Sequence, residues 1–325
     1  MTARLRWPIA LATLLGLAAA LWAMGSVGFA ALTSAALRMG IGGFLAFCGA
    51  SLILSGILGG AWWASMPGQP LRRLPLFGWA RMAREGANDL LPFSQIGGLV
   101  VGGRTLTSAG LPAPRVYAAM VVDLTTEMAS QVAFTLFGVA TLGSLLLDQS
   151  RHRVAPLAWI GVAVSIGVTA AFILLQRPML KLAGTLAARL LPESALSMDR
   201  LHAELADIYA RKGAVALSFL LNLAGWLYAA ALAALVLAMI GAPIALWRVA
   251  ALESLIFALR GAAFVVPGAI GVQEAGYVLL GPLIGLDPEA AVALSLIKRA
   301  RDVAIGLPSL IAWQAKEIGG RRARA

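Results

Sequence analysis

Ionisable side chains inside apolar stretches are the residues of this chain best suited to chemistry. Asp123 and Glu127 are four residues apart and therefore share one helix face. Lys298, Arg301 and Asp302 lie in a second apolar stretch. A charge at the centre of a bilayer costs about 2.5–3.5 kcal/mol, so such residues pair or line a polar cavity. Both readings are open, and we favour a cavity that handles a charged headgroup over ion pairs that only lock helices together.

Three further charged residues belong to the same set of candidates. Glu253 and Arg260 are seven residues apart, so they also share a helix face. A salt bridge to a neighbouring helix and a role in the site are equally good explanations for them. Arg104 could pair with a phosphate, pair with a carboxylate of the next helix, or anchor the chain at the cytoplasmic surface.

Two apolar segments contain too much glycine, proline and polar side chain for ordinary spanning helices. Broken backbone is tolerated at membrane depth only where protein or a wet cavity shields it, and a matching pair of breaks indicates a transport site. A helix end at the second break would present free N–H groups that bind anions such as phosphate. The residues of the two breaks that we assign to the path are Pro92, Gly97, Gly98, Pro267, Gly271, Gln273 and Glu274.

Composition indicates one integral membrane domain over residues 1–325 and an all-α, polytopic fold. Hydrophobic residues make up 60% and charged residues 13% of the chain, whereas soluble domains carry about 25% charged residues. The formal net charge of +11 fits cytoplasmic loops and anionic lipid headgroups better than nucleic acid. The sequence has no nucleophile–base constellation, metal-ligand spacing or phosphate loop, so we predict no enzyme activity, no catalytic residue, no metal and no cofactor.

Hydropathy predicts seven spanning segments, and the basic clusters orient them. The segments are 6–25, 39–63, 115–147, 154–175, 214–240, 244–265 and 288–314. Clusters at 72–84, 177–212 and 316–324 predict that these regions and both termini face the cytoplasm. If both breaks are re-entrant, this count leaves the C-terminus outside, so one segment is misread. We expect the misread segment to be 115–147, because this stretch is unusually long.

An internal repeat is predicted from an ungapped shift of 175 residues that superposes Pro92 on Pro267. The same shift places Asp123 on Lys298 and Glu127 on Asp302. The repeat halves are about 75–147 and 250–315. With a cytoplasmic tail the two re-entrant segments enter from opposite faces, which is inverted-repeat topology.

At these residues the chain resembles a known family. The run from Leu91 through Gly98 to Arg104, and the run from Val266 to Glu274, resemble the transmembrane region of lysylphosphatidylglycerol synthases. They look most like its stand-alone branch associated with hopanoid biosynthesis, and the similarity covers roughly 75–315. The positions that match the family pattern are Pro92, Gly97, Gly98, Arg104, Glu127, Pro267, Gly271, Glu274, Arg301 and Asp302.

The resemblance implies a flippase-like domain whose broken segments line a lipid path. Its bifunctional relatives carry a soluble aminoacyl-transferase domain, which this sequence lacks, so we expect no lipid aminoacylation. Leu99 stands where relatives often have an acidic residue, and the repeat shift pairs it with Glu274. We therefore expect an inner-membrane protein that moves hopanoid or a related lipid. The alternatives are an ion-coupled small-solute transporter, a lipid-modifying enzyme, and a non-catalytic membrane partner in a lipid-biosynthesis complex.

The basic clusters generate a topology prediction. Reporter fusions at Arg189 and Lys316 should both give a cytoplasmic signal, because each position lies in a basic cluster of the chain. Paired phosphatase and fluorescent-protein fusions would measure this. A periplasmic signal at Lys316 would contradict the inverted topology.

Overall fold

The computed structural model describes residues 29–90, 94–149, 198–262, 269 and 271–322. Within these ranges the secondary structure is helical, with no strand. The helices are α1 (Phe29–Ala64), α2 (Leu74–Leu90), α3 (Ser94–Ser108), α4 (Ala113–Gln149), α5 (Met198–Ala210), α6 (Lys212–Met239), α7 (Leu246–Ala262), α8 (Val272–Leu280) and α9 (Pro288–Arg322). The all-α prediction is confirmed for this part of the chain.

Three described helices are long and apolar enough to cross a membrane. These stretches are Leu37–Ala64 in α1, Ala113–Leu145 in α4 and Lys212–Met239 in α6. They agree with the predicted segments 39–63, 115–147 and 214–240. The outer face of α1 is strongly apolar, since Leu37 and Ile41 are each 82% exposed. Such a face suits contact with lipid chains.

The other predicted segments have different outcomes. Segment 244–265 corresponds to α7, which has 17 residues, and segment 288–314 lies in the more charged α9. Segments 6–25 and 154–175 lie outside the described residues. The suspicion about 115–147 is wrong, because α4 is one continuous helix of 37 residues. Splitting that stretch therefore does not resolve the topology count.

The two breaks separate short helices that pack against each other. α2 ends at Leu90 and α3 begins at Ser94, while α7 ends at Ala262 and α8 begins at Val272. Pro92 and Pro267 lie outside the described residues. α2 and α3 run close together, since a Cβ atom on Gly98 would lie 2.7 Å from the carbonyl oxygen of Arg84. A turn then leads from α3 into α4, and a connection with a short 3-10 helix (Pro282–Ile284) leads from α8 into α9.

Glycines allow the first helix of each pair to cross the long helix that follows the other pair. α2 meets α9 where a Cβ on Gly86 would lie 2.9 Å from the carbonyl oxygen of Gly306. α7 meets α4 where a Cβ on Gly138 would lie 2.9 Å from the carbonyl oxygen of Ala251. These crossings bring the polar faces of α2, α4, α7 and α9 toward a common interior.

The α2–α9 crossing predicts a steric effect. Gly86→Ala should lower the stability of the detergent-solubilised protein by about 1–3 kcal/mol, because the added methyl meets backbone that cannot yield freely. Gly49→Ala on α1 is the matched control, since its Cβ would have nothing within 4 Å. Thermal unfolding measures both. Equal melting temperatures for the two variants would contradict the close crossing.

Candidate functional site

A cavity of about 280 Å³ lies among the helices, and its wall is chemically divided. α1 and α6 contribute mainly apolar side chains, including Phe47, Leu54 and Leu232. α2, α7 and α9 contribute most of the charge. The charged lining residues are Arg81, Arg84, Glu85, Asp89, Glu127, Arg260, Lys298, Arg301 and Asp302. The cavity therefore offers both charged and apolar side chains to a molecule that enters it.

A four-residue ion cluster joins α2 to α4 at this cavity. Arg81 Nη1 and Arg84 Nη1 lie 3.3 and 3.2 Å from Asp123 Oδ2. Arg84 Nη2 also lies 3.0 Å from Glu127 Oε2, and Arg81 binds the other oxygen of that carboxylate. The arginines are three residues apart and the carboxylates four apart, so each pair presents one helix face to the other. The cluster neutralises four charges that would each be costly alone.

The structure corrects the prediction that Arg81 and Arg84 belong to a cytoplasmic loop. They lie on α2 and are only 1% and 2% exposed. The sequence feature that could have identified them is their three-residue spacing within a stretch that mixes apolar and charged residues. The shared face of Asp123 and Glu127 is confirmed, because both contact the same two arginines.

Neutral polar residues complete the environment of Asp123. Asn222 Nδ2 of α6 lies 3.4 Å from Asp123 Oδ1 and 3.2 Å from the hydroxyl of Thr126. The Thr126 hydroxyl lies 2.8 Å from that of Ser218. Sequence reasoning missed Asn222 and Ser218, because a single amide or hydroxyl in an apolar helix gives no distinctive pattern. They connect α6 to the ion cluster.

A second buried group joins α7, α8 and α9. Lys298 donates hydrogen bonds to Glu253 and to the hydroxyl of Tyr277, the latter at 2.7 Å. Tyr277 in turn donates to the second oxygen of Glu253. Glu253 is fully buried, and both of its oxygens are satisfied. Lys298 reaches the cavity, whereas its two partners lie behind it.

Two further ion pairs belong to the cavity wall. Arg260 on α7 lies 2.8 Å from Asp89 on α2, which connects the two helix pairs directly. Arg301 lies 2.6 Å from its neighbour Asp302 on α9. Glu253 and Arg260 therefore share a helix, as predicted, yet contact different elements. Asp89 is a functional candidate that sequence reasoning missed. It lies near the C-terminal end of α2, two residues before the first break.

The start of α8 corrects two predictions. Gln273 and Glu274 lie in the first turn of α8 rather than in a broken segment, and Glu274 accepts a 2.7 Å hydrogen bond from the N–H of Gly271. The Glu274 carboxylate thus accepts from an N–H group at the helix end that we expected to bind an anion such as phosphate. Glu274 also lies 3.1 Å from Arg299 of α9. Gln273 donates to Ser295 at 3.0 Å.

The first break gives a similar correction. Arg104 pairs with Glu317 of α9, and not with a carboxylate of the next helix. Gly97 and Gly98 lie within α3, and Gly98 packs against Arg84 and Asn88 rather than on the cavity. Arg104, Gly97, Gly98, Gly271, Gln273 and Glu274 thus support the helices around the cavity without lining it. No group of three potential metal ligands occurs among the residues described.

These features define a helical membrane protein with a charged interior cavity. The chain belongs to the family described as the lysylphosphatidylglycerol synthase TM region, which matches residues 9–308. The family and the apolar helices indicate a membrane location and a lipid-related function. Comparisons with curated proteins and with solved structures each gave no match.

The α2–α4 cluster predicts a large effect of removing one carboxylate. Asp123→Ala should destabilise the protein by about 3–5 kcal/mol, because two buried arginines lose a partner. Asp207→Ala is the control: its pairs with Arg211 and Arg115 are partly exposed, so the change should stay below about 1 kcal/mol. Thermal unfolding in one detergent compares them. A smaller loss for Asp123→Ala than for Asp207→Ala would show that the cluster does not hold these helices.

Proposed function

We propose that this protein moves an amphiphilic lipid across the membrane, without catalysing a chemical change. The observation that carries the proposal is the divided cavity wall. Charged groups, mainly of α2, α7 and α9, and mainly apolar side chains of α1 and α6 line the same cavity of about 280 Å³. A lipid headgroup needs polar contacts at membrane depth, while its chains need none. The cavity offers both environments side by side.

The same proposal includes an inverted repeat of two helix pairs. Each half has a short helix, a break, a second short helix, a turn and a long helix. The long helices begin at Ala113 and Pro288, which differ by the predicted shift of 175 residues. α2 packs on α9, and α7 packs on α4, so the first helix of each half packs against the long helix of the other half. Such an arrangement suits a cavity that opens alternately to the two membrane faces.

In this proposal the second break takes part in the lipid path through Ala269, which lines the cavity. The headgroup contacts are the charged residues of α2, α7 and α9, together with Glu127. Hopanoid or a related lipid remains the transported lipid that the family resemblance favours. An ion-coupled small-solute transporter is the second candidate function, because the paired carboxylates and cations of the cavity also suit a proton relay. We also propose that the protein lies in the inner membrane, with both termini in the cytoplasm.

A cavity-filling substitution tests lipid movement. Ser55→Phe places a ring into the cavity without changing its charge, and should slow movement by at least about tenfold, or about 1.4 kcal/mol of activation free energy. Leu52→Phe on the same helix is the control, because Leu52 is 49% exposed and does not line the cavity. Proteoliposomes with acyl-labelled fluorescent lipids measure the rates by back-extraction.

Protein-free vesicles correct for spontaneous movement. If no labelled lipid moves faster with protein than without it, lipid movement is not the function. If Leu52→Phe slows the rate as much as Ser55→Phe, the effect does not come from the cavity. Uptake of a small solute by vesicles that move no lipid would favour the second candidate.

A further inference from the structure

We propose that the cavity accepts an uncharged lipid headgroup in preference to a charged one. This inference rests on the proposed function and specifies its cargo. The structural basis is the charge balance of the cavity wall.

Every basic side chain that lines the cavity already has a carboxylate within 3.3 Å. The five cations are Arg81, Arg84, Arg260, Lys298 and Arg301. Their six carboxylate partners are Glu85, Asp89, Asp123, Glu127, Glu253 and Asp302. The excess acid is Glu85, whose side chain is the most exposed of the six at 36%. The buried part of this wall is thus neutral.

A neutral wall disfavours a headgroup with net charge. An anionic phosphate could gain a cation only by separating it from its carboxylate, and that carboxylate would then be buried alone. A cationic amine could likewise gain a carboxylate only by separating it from its cation, which would then be buried alone. Leaving a buried charge without a partner costs several kcal/mol, and the attraction of the new pair has to offset it. An uncharged headgroup requires no such exchange.

The experiment compares three acyl-labelled lipids in proteoliposomes of the full chain. Glucosylceramide is uncharged and carries hydroxyls, phosphatidylglycerol carries hydroxyls and a negative charge, and phosphatidylcholine is zwitterionic without hydroxyls. We expect glucosylceramide to move at least about tenfold faster than either phospholipid, after subtraction of protein-free rates. Faster movement of phosphatidylglycerol or phosphatidylcholine, or equal rates for all three, would overturn the inference while leaving lipid movement intact. Movement of none would overturn both.

A variant pair tests the charge argument directly. Asp302→Asn removes the partner of Arg301, which lies 2.6 Å away, and should raise the ratio of phosphatidylglycerol to glucosylceramide rates about tenfold. Combining it with Arg301→Gln removes the unpaired cation and should return the ratio toward the original value. Ratios do not depend on the amount of folded protein. If Asp302→Asn cannot be purified, the double variant still tests the inference, since a wall that stays neutral should keep the preference for glucosylceramide. A ratio unaffected by Asp302→Asn would refute the charge argument.

Discussion

The ion cluster of Arg81, Arg84, Asp123 and Glu127 is the interaction on which the remaining structure depends. Each of its members would be costly in a low-dielectric interior, and removing one leaves the others uncompensated. α2 and α4 must therefore keep the register that brings both arginines onto both carboxylates. The two helices are not closely packed, so the long arginine side chains span the distance between them. α3 packs closely on α2, so the cluster also bears on the placement of α3.

The same constraint operates on the second helix pair. Lys298 of α9 needs Glu253 of α7, and Tyr277 of α8 completes that group, so three helices are held around one buried carboxylate. Arg260 and Asp89 then connect α7 to α2. The groups that neutralise each other are also the groups that form the cavity wall. In this protein the stability of the helix arrangement and the polarity of the cavity have one physical source.

Sequence predicted the helical class, the three apolar spans and the shared face of Asp123 and Glu127, because hydropathy and helix spacing are local properties. It also selected Glu127, Arg260, Lys298, Arg301 and Asp302, all of which line the cavity. It misassigned Arg81 and Arg84, since a basic residue in a polar stretch reads as a loop anchor whether or not a distant carboxylate meets it. The partners of Glu274 and Arg104 were unpredictable for the same reason: pairing depends on which helices cross.

The glycine crossings complement the ion pairs around the cavity. Gly86 and Gly306 let α2 and α9 approach at backbone contact, and Gly138 does the same for α4 and α7. The ion pairs of the wall instead join α2 to α4, α2 to α7 and α7 to α9, so close backbone contact and charge pairing hold different helices together. Arg81 contacts three different carboxylates, one on its own helix and two on α4, so the charge of this buried arginine does not depend on a single partner.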